Sequence, residues 1–163
     1  MDQGMHLLDL SHRLLGSLPL HSALLRTNFW DVAVEDNAVL LLGEQGDTRA
    51  PWSTFHVSWT EWKNDFALEI YCQRAKLQVT GLWGSYGPQV LRIYRMQPEL
   101  GPPDVEVLEY GDEDQSWAFE WQHFRSAVLS GQATDIGSAL YALGTIEEAY
   151  RLTGFGTTAA ATR

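Results

Sequence analysis

Cysteine is almost missing from this sequence: Cys72 stands alone. One thiol excludes an internal disulfide and any cysteine-based zinc site, and it fits a reducing, cytoplasmic setting. Basic residues are scarce too, with 11 Lys and Arg against 21 Asp and Glu and a formal net charge of −10. Such a chain has no basic stripe to neutralise phosphates, which argues against DNA or RNA as a partner, and an anionic membrane surface would repel it. Long apolar runs are absent as well. The leucines near the start are interrupted by Asp9, His12 and Arg13, so neither a signal h-region nor a membrane span is expected, and the protein reads as soluble. The five histidines form no H-E-x-x-H pattern, and no G-x-S-x-G elbow places a serine nucleophile.

What is there is apolar and aromatic. The 163 residues are 45% hydrophobic and include seven Trp, six Tyr and six Phe, enough for one domain with a real core. The opening "MDQGMHLLDLSHRLLG" predicts a helix: Leu7, Leu8, Leu10, Leu14 and Leu15 share a broad arc, Gly16 supplies the stop, and Asp2, His6, Asp9 and Arg13 share the opposite arc. From about His21 to Tyr110 the period changes to two, as in "FHVSW" and "FALEIYC", with turns such as "GEQGDT" between, predicting strands in mostly antiparallel pairing. Two helices follow. The first is capped by Ser116 and carries Trp117, Trp121, Phe124 and Val128 on one stripe; the second runs from about Asp135 to Gly154 with Ile136, Leu140, Leu143, Ile146 and Tyr150 on one side. Both stripes suit packing on a sheet. The order is α+β: a large, mostly antiparallel, open-faced sheet with helices packed on one face, residues 1–154 forming the domain and 155–163 a mobile tail.

Two glycine patterns carry little chemistry. "GFGTTA" at Gly154 matches G-x-G-x-x-A but follows a helix, with no βαβ unit around it, so it reads as a helix end. "GLWGSYG" has the wrong spacing for a phosphate loop and reads as a turn bearing Tyr86. The acid and imidazole at Asp2 and His6 are stronger candidates. One turn apart on a helix, a carboxylate can orient an imidazole that accepts a hydroxyl proton, the chemistry of alcohol oxidation. The same polar arc also reads as a plain solvated face.

"DQGMHLLDL" resembles the D-x-G-x-H-x-x-D segment of the Gfo/Idh/MocA oxidoreductases. "VEDNAVLLL", "VSWTEW…FALEIYC", "LQVTGLWGSYG", "SWAFEWQHFRSAV" and "ALGTIEEAYRLT" fall in the order found in that family's C-terminal domain, so the likeness spans about Asp2 to Thr153. Members are typically two-domain enzymes, with an N-terminal Rossmann domain for NAD or NADP and a C-terminal α+β domain that completes a pocket for sugars, cyclitols or nucleotide-linked sugars. The resemblance implies that His6 is the catalytic histidine and Asp2 the acid beside it. It places Gln3 at a substrate-touching position and Asp9 at the trailing acid of the motif, also on the substrate side.

The family's Glu-Lys-Pro segment and its glycine-rich dinucleotide loop belong to the N-terminal domain and do not occur in this sequence, while "YCQRAKLQV" has Cys72 and Ala75 where members often place glycines. The resemblance thus implies the substrate-side and assembly domain of an NAD(P)-dependent oxidoreductase, with no cofactor or metal site of its own and inactive alone. The alternatives are a stand-alone ligand-binding or oligomerisation module, and a subunit completed in trans by a Rossmann-bearing chain. Trp52, His56, Thr60, Glu69, Tyr71, Gln78 and Thr80 are expected on the uncovered sheet face, where they would form a homodimer or a higher oligomer.

Overall fold

The computed structural model describes residues 1–99, 101–111, 114–132 and 137–156. The elements run α1 (Asp2–Leu15), β1 (Leu20–Arg26), β2 (Asn37–Gly43), β3 (Trp52–Ser58), β4 (Ala67–Tyr71), β5 (Ala75–Thr80), β6 (Gln89–Arg95), β7 (Asp104–Tyr110), α2 (Ser116–Ser130) and α3 (Gly137–Thr153). This is an α+β chain with every strand pair antiparallel. It divides into two compact units, one holding α1, β1–β3 and α3, the other β4–β7 and α2.

The large single sheet expected from the period-two pattern is instead two sheets, β1-β2-β3 and β4-β5-β6-β7. The break falls in "TEWKND". Ser58 Oγ accepts the Thr60 N–H at 3.0 Å and so turns the chain out of β3, and Trp62 takes a left-handed φ of 57°, incompatible with continuing a strand. Alternation within each strand was readable; which strands share a sheet depends on that turn.

In the first unit, registers Leu25↔Ala38↔Val57 and Ala23↔Leu40↔Phe55 line up one inner face. Leu8, Leu18, Leu40, Leu42, Ala142, Ile146 and Ala149 form the core above it, with Phe55 packed against them. The helix stripes are rotated from the leucine arcs. On α1 the buried set is Gly4, Leu8 and Ser11, while Leu14 faces solvent. On α3 it is Ala142, Thr145, Ile146 and Ala149, while Leu140 and Leu143 are exposed. Small residues on either side of Leu8 and Ile146 share the contact between α1, β3 and α3. A Cβ on Gly4 would already touch Val57 Cγ2 at 3.8 Å, and Ser11 Oγ lies 3.4 Å from Ser53 Oγ. Tyr141 ties the start of β1 down by both backbone groups of Leu18, donating to its carbonyl at 2.8 Å and accepting its N–H at 3.2 Å.

In the second unit, the register places Leu68, Ile70, Leu77, Val79, Leu91 and Ile93 on one face and Glu69, Tyr71, Lys76, Gln78, Arg92 and Tyr94 on the other. Gly81 turns the chain after β5 with φ +78°, directly under Pro88, whose carbonyl oxygen a Cβ would approach to 2.1 Å. Helix α2 differs from expectation at both its cap and its stripe. Ser116 is its first helical residue and not its cap; the Asp114 carboxylate accepts the Ser116 N–H at 2.9 Å. Trp117, Trp121, Phe124 and Val128 are exposed, Trp117 to 78%. Their spacing aligns them on one face but does not say what covers that face. Gly131 ends the helix in the left-handed conformation, as its position predicts. Asp135, Ile136 and residues 157–163 of the expected tail lie outside the described residues, while Phe155 and Gly156 form a turn after α3. No helix among the described residues is long and apolar enough to cross a membrane.

Candidate functional site

Helix α1 begins at Asp2 without any side-chain cap of its own, and its first backbone bond runs from Met5 N to Met1 O. Four N–H groups at such an end are left unsatisfied by the helix itself, and its partial positive charge favours an anion nearby. That anion comes from the β1–β2 connection. Glu35, only 4% exposed, accepts a hydrogen bond from the Met1 nitrogen through Oε1 and one from Tyr150 Oη of α3 through Oε2, the latter at 2.5 Å. Burial alone would raise the Glu35 carboxyl, but the Met1 and Tyr150 donors outweigh it and hold it below its usual value of 4.5. The Tyr150 phenol is pushed up well above its usual value by burial and by the carboxylate it serves.

The next residue organises the loop that carries Glu35. Asp36 is buried, and its carboxylate accepts the backbone N–H groups of Asn28, Phe29 and Trp30 at 2.8–3.0 Å and the Asn37 amide at 3.0 Å. Desolvation raises its carboxyl, yet these four donors win and depress it strongly. The loop therefore has a fixed shape, with Trp30 Nε1 donating to the Trp59 carbonyl at 3.4 Å. Met1, Gln3, Glu35, Asp36, Asn37, Ala38, Val57 and Trp59 surround a cleft of about 10 Å³, near the lower limit for one water molecule.

The four residues singled out from the sequence separate here. Gln3 reaches the cleft, beside Glu35 and Asp36. Asp2 and His6 are exposed, on the arc of α1 opposite its buried Gly4–Leu8–Ser11 stripe, and no hydrogen bond joins them among the described residues. Asp9 is half-buried. Its carboxylate is held below its usual value chiefly by the Ser138 hydroxyl, with Arg13, 3.2 Å away, adding to the effect against some desolvation. Asp9 thus links α1 to α3, a structural task its place in the motif does not disclose. The cleft is far below the roughly 300–1,000 Å³ of small-molecule sites, so these residues do not by themselves enclose a pocket for a small molecule.

Glu35, Asp36 and Tyr150 were not visible as a group in the sequence. The only trace is "VEDN", two acids and an amide in a strand connection, and nothing local shows that both acids are buried. A second concavity, of about 620 Å³, lies in the other unit between the β4–β5 turn and the β6–β7 connection, lined by residues including Tyr71, Cys72, Lys76, Tyr94, Met96 and Pro103. There Lys76 bonds Glu69 at 2.5 Å and sits over the rings of Tyr71 and Tyr94 at 5.2 and 5.6 Å.

Among the described residues no group of three or more His, Cys, Asp or Glu could hold a metal ion. The Gly154–Gly156 pair turns the chain after α3, and Thr157–Ala159 of that pattern lie outside the described residues. Among the described residues the strand pairs, all antiparallel, do not fit a dinucleotide cradle, which needs a glycine turn between a strand and a helix of a parallel unit. No family model, curated protein or solved structure matches the chain.

Proposed function

We propose that this chain is the substrate-side domain of an NAD(P)-dependent oxidoreductase acting on a hydroxyl of a sugar, cyclitol or nucleotide sugar. The observation that carries the reading is the placement of Asp2, Gln3 and His6 on the first two turns of a helix whose opposite side is locked into the core at Leu8. An exposed imidazole on a rigid support can take the proton of a bound hydroxyl, an acid one turn earlier can orient the imidazole or a second hydroxyl, and the Gln3 amide can both donate to and accept from a polyol. The described residues do not fit a dinucleotide site, so the cofactor is assigned to a separate Rossmann domain and no step is derived through it.

Amide chemical-shift mapping with glucose, inositol and a uridine-diphosphate sugar at about millimolar concentration tests the reading. Shifts confined to Asp2–Asp9 and the Asn28–Trp30 loop are expected. Shifts confined to the Tyr71–Lys76–Tyr94 concavity, or micromolar binding of NAD(H) to this chain alone, would overturn it.

The second task proposed for the chain is assembly, favoured by one face of the four-stranded sheet. Gln78 donates to Glu69 at 2.8 Å, Tyr94 donates to Gln78 at 3.1 Å, and Tyr71, 74% exposed, donates to Glu69 at 2.5 Å. Val105 and Val107 are exposed on the same face. Aromatic, aliphatic and hydrogen-bonding groups without an excess of one charge suit a symmetric contact with a second copy. Trp52 and His56, expected on this face, belong to the other sheet, and Thr60 lies beyond the end of β3. Light scattering should therefore show a dimer that dissociates on Tyr71→Glu; a monomer at tens of micromolar would refute assembly through this face.

A further inference from the structure

Asp2, Gln3 and His6 sit on a helix start that nothing in the helix secures. The N-terminal residue of α1 has no capping side chain before it, and the groups that would fray first are those assigned to the substrate. What meets this end is a side chain from 34 residues away. Glu35 presents one carboxylate oxygen to the Met1 nitrogen and the other to Tyr150 Oη at 2.5 Å, and Tyr150 is itself set in α3, next to the buried Ala149.

The geometry points to Glu35 as the positioning residue of the site: a tertiary cap that fixes the first turn of α1, and with it Asp2, Gln3 and His6, while Tyr150 fixes the carboxylate. The role in positioning a substrate rests on the oxidoreductase reading; the capping does not. Three features make Glu35 suited to this. Its negative charge lies at the positive end of the helix. It is buried, so solvent does not screen it. Both of its oxygens are engaged, which leaves the carboxylate one orientation. The Met1 nitrogen is a donor whether it carries a terminal charge or lies in a peptide bond. Gly4 lies buried in the same turn, against Met1 and Val57.

Glu35→Gln should loosen the turn, since the new amide carries no charge and has one acceptor oxygen where the carboxylate has two. Tyr150→Phe keeps the charge and frees its orientation. Residue-resolved hydrogen exchange on the full chain is the readout. In Glu35→Gln the amides of Met5, His6 and Leu7 should exchange about tenfold faster, and in Tyr150→Phe by a smaller factor, while those of Leu40, Leu42 and Ile146 change by less than about twofold. A general loss of stability would speed all of them together. Unchanged exchange at Met5–Leu7, or acceleration spread evenly over β2 and α3, overturns the assignment. Neither result depends on turnover or on a sugar, so positioning can fail while the oxidoreductase reading stands, and the reverse. If both variants unfold, far-UV circular dichroism shows it, and Glu35 is then a folding determinant and not a local cap, which also refutes the proposal.

Discussion

Tyr150 Oη donates to Glu35 Oε2 at 2.5 Å, joining helix α3 to the β1–β2 connection across 115 residues of sequence. A hydrogen bond to a buried carboxylate is among the stronger single contacts in a protein, because the alternative is a poorly solvated charge. Tyr150→Phe is therefore expected to lower unfolding free energy by about 1.5–3 kcal/mol in a urea titration. Loss of less than about 0.5 kcal/mol would mean that water reaches Glu35 freely.

The same pair gives stability an acid limb with a defined sign. The Glu35 carboxyl is held below 4.5 in the folded chain, so the unfolded chain binds its proton more readily. Its contribution is complete above about pH 4.5 and is lost as pH falls through the lower, folded value. The difference in thermal midpoint between the native chain and Glu35→Gln should shrink steadily below about pH 4.5. A difference that stays constant to pH 3 would contradict the assignment. Tyr150 acts at the other extreme: its phenol is raised, so its contribution is complete below about pH 10 and is lost above it.

Asp36 holds a loop, not a helix. Its carboxylate gathers three consecutive backbone N–H groups, and an amide in its place has one acceptor oxygen where the carboxylate has two. In Asp36→Asn the amides of Asn28, Phe29 and Trp30 should exchange faster and the indole of Trp30 should separate from the Trp59 carbonyl, read as a shift in its Nε1–H resonance. Unaltered protection at all three amides would show that the loop is held by other contacts.

The helices show what was legible and what was not. Their existence, their order and the glycine stops at Gly16 and Gly131 were readable from periodicity and φ preference. Which arc of each helix is buried was legible only in part: Leu8 and Ile146 lie on the expected stripes, whereas Leu14 and Leu143 are exposed and Gly4, Ser11, Ala142 and Ala149 are buried beside them. Sheet membership hinged on a two-residue hydroxyl turn at Ser58 and Thr60 that period-two alternation does not encode. Of the candidate site, Asp2, Gln3, His6 and Asp9 were proposed through one motif, but the Ser138 partner of Asp9 and the Tyr150 partner of Glu35 lie more than 100 residues from them, where no spacing rule reaches.

That rotation of the α3 stripe is itself testable. Ala142→Leu inserts three carbons where α3 meets the core and should cost about 1–3 kcal/mol, whereas Leu140→Ala removes an exposed side chain and should cost less than about 0.5 kcal/mol beyond helix propensity. The reverse ranking in thermal or urea unfolding would place the leucine side inward.

In the proposed function the exposed end of α1 meets a polyol. The most direct measurement is the affinity of the tightest-binding probe among glucose, inositol and the uridine-diphosphate sugar for the native chain and for His6→Ala and Gln3→Ala, followed by amide shifts. Removal of a group that hydrogen-bonds a ligand hydroxyl should weaken binding about tenfold in each variant while leaving the fold intact, as judged by unchanged shifts in β2 and α3. Equal affinity in all three proteins would contradict the claim.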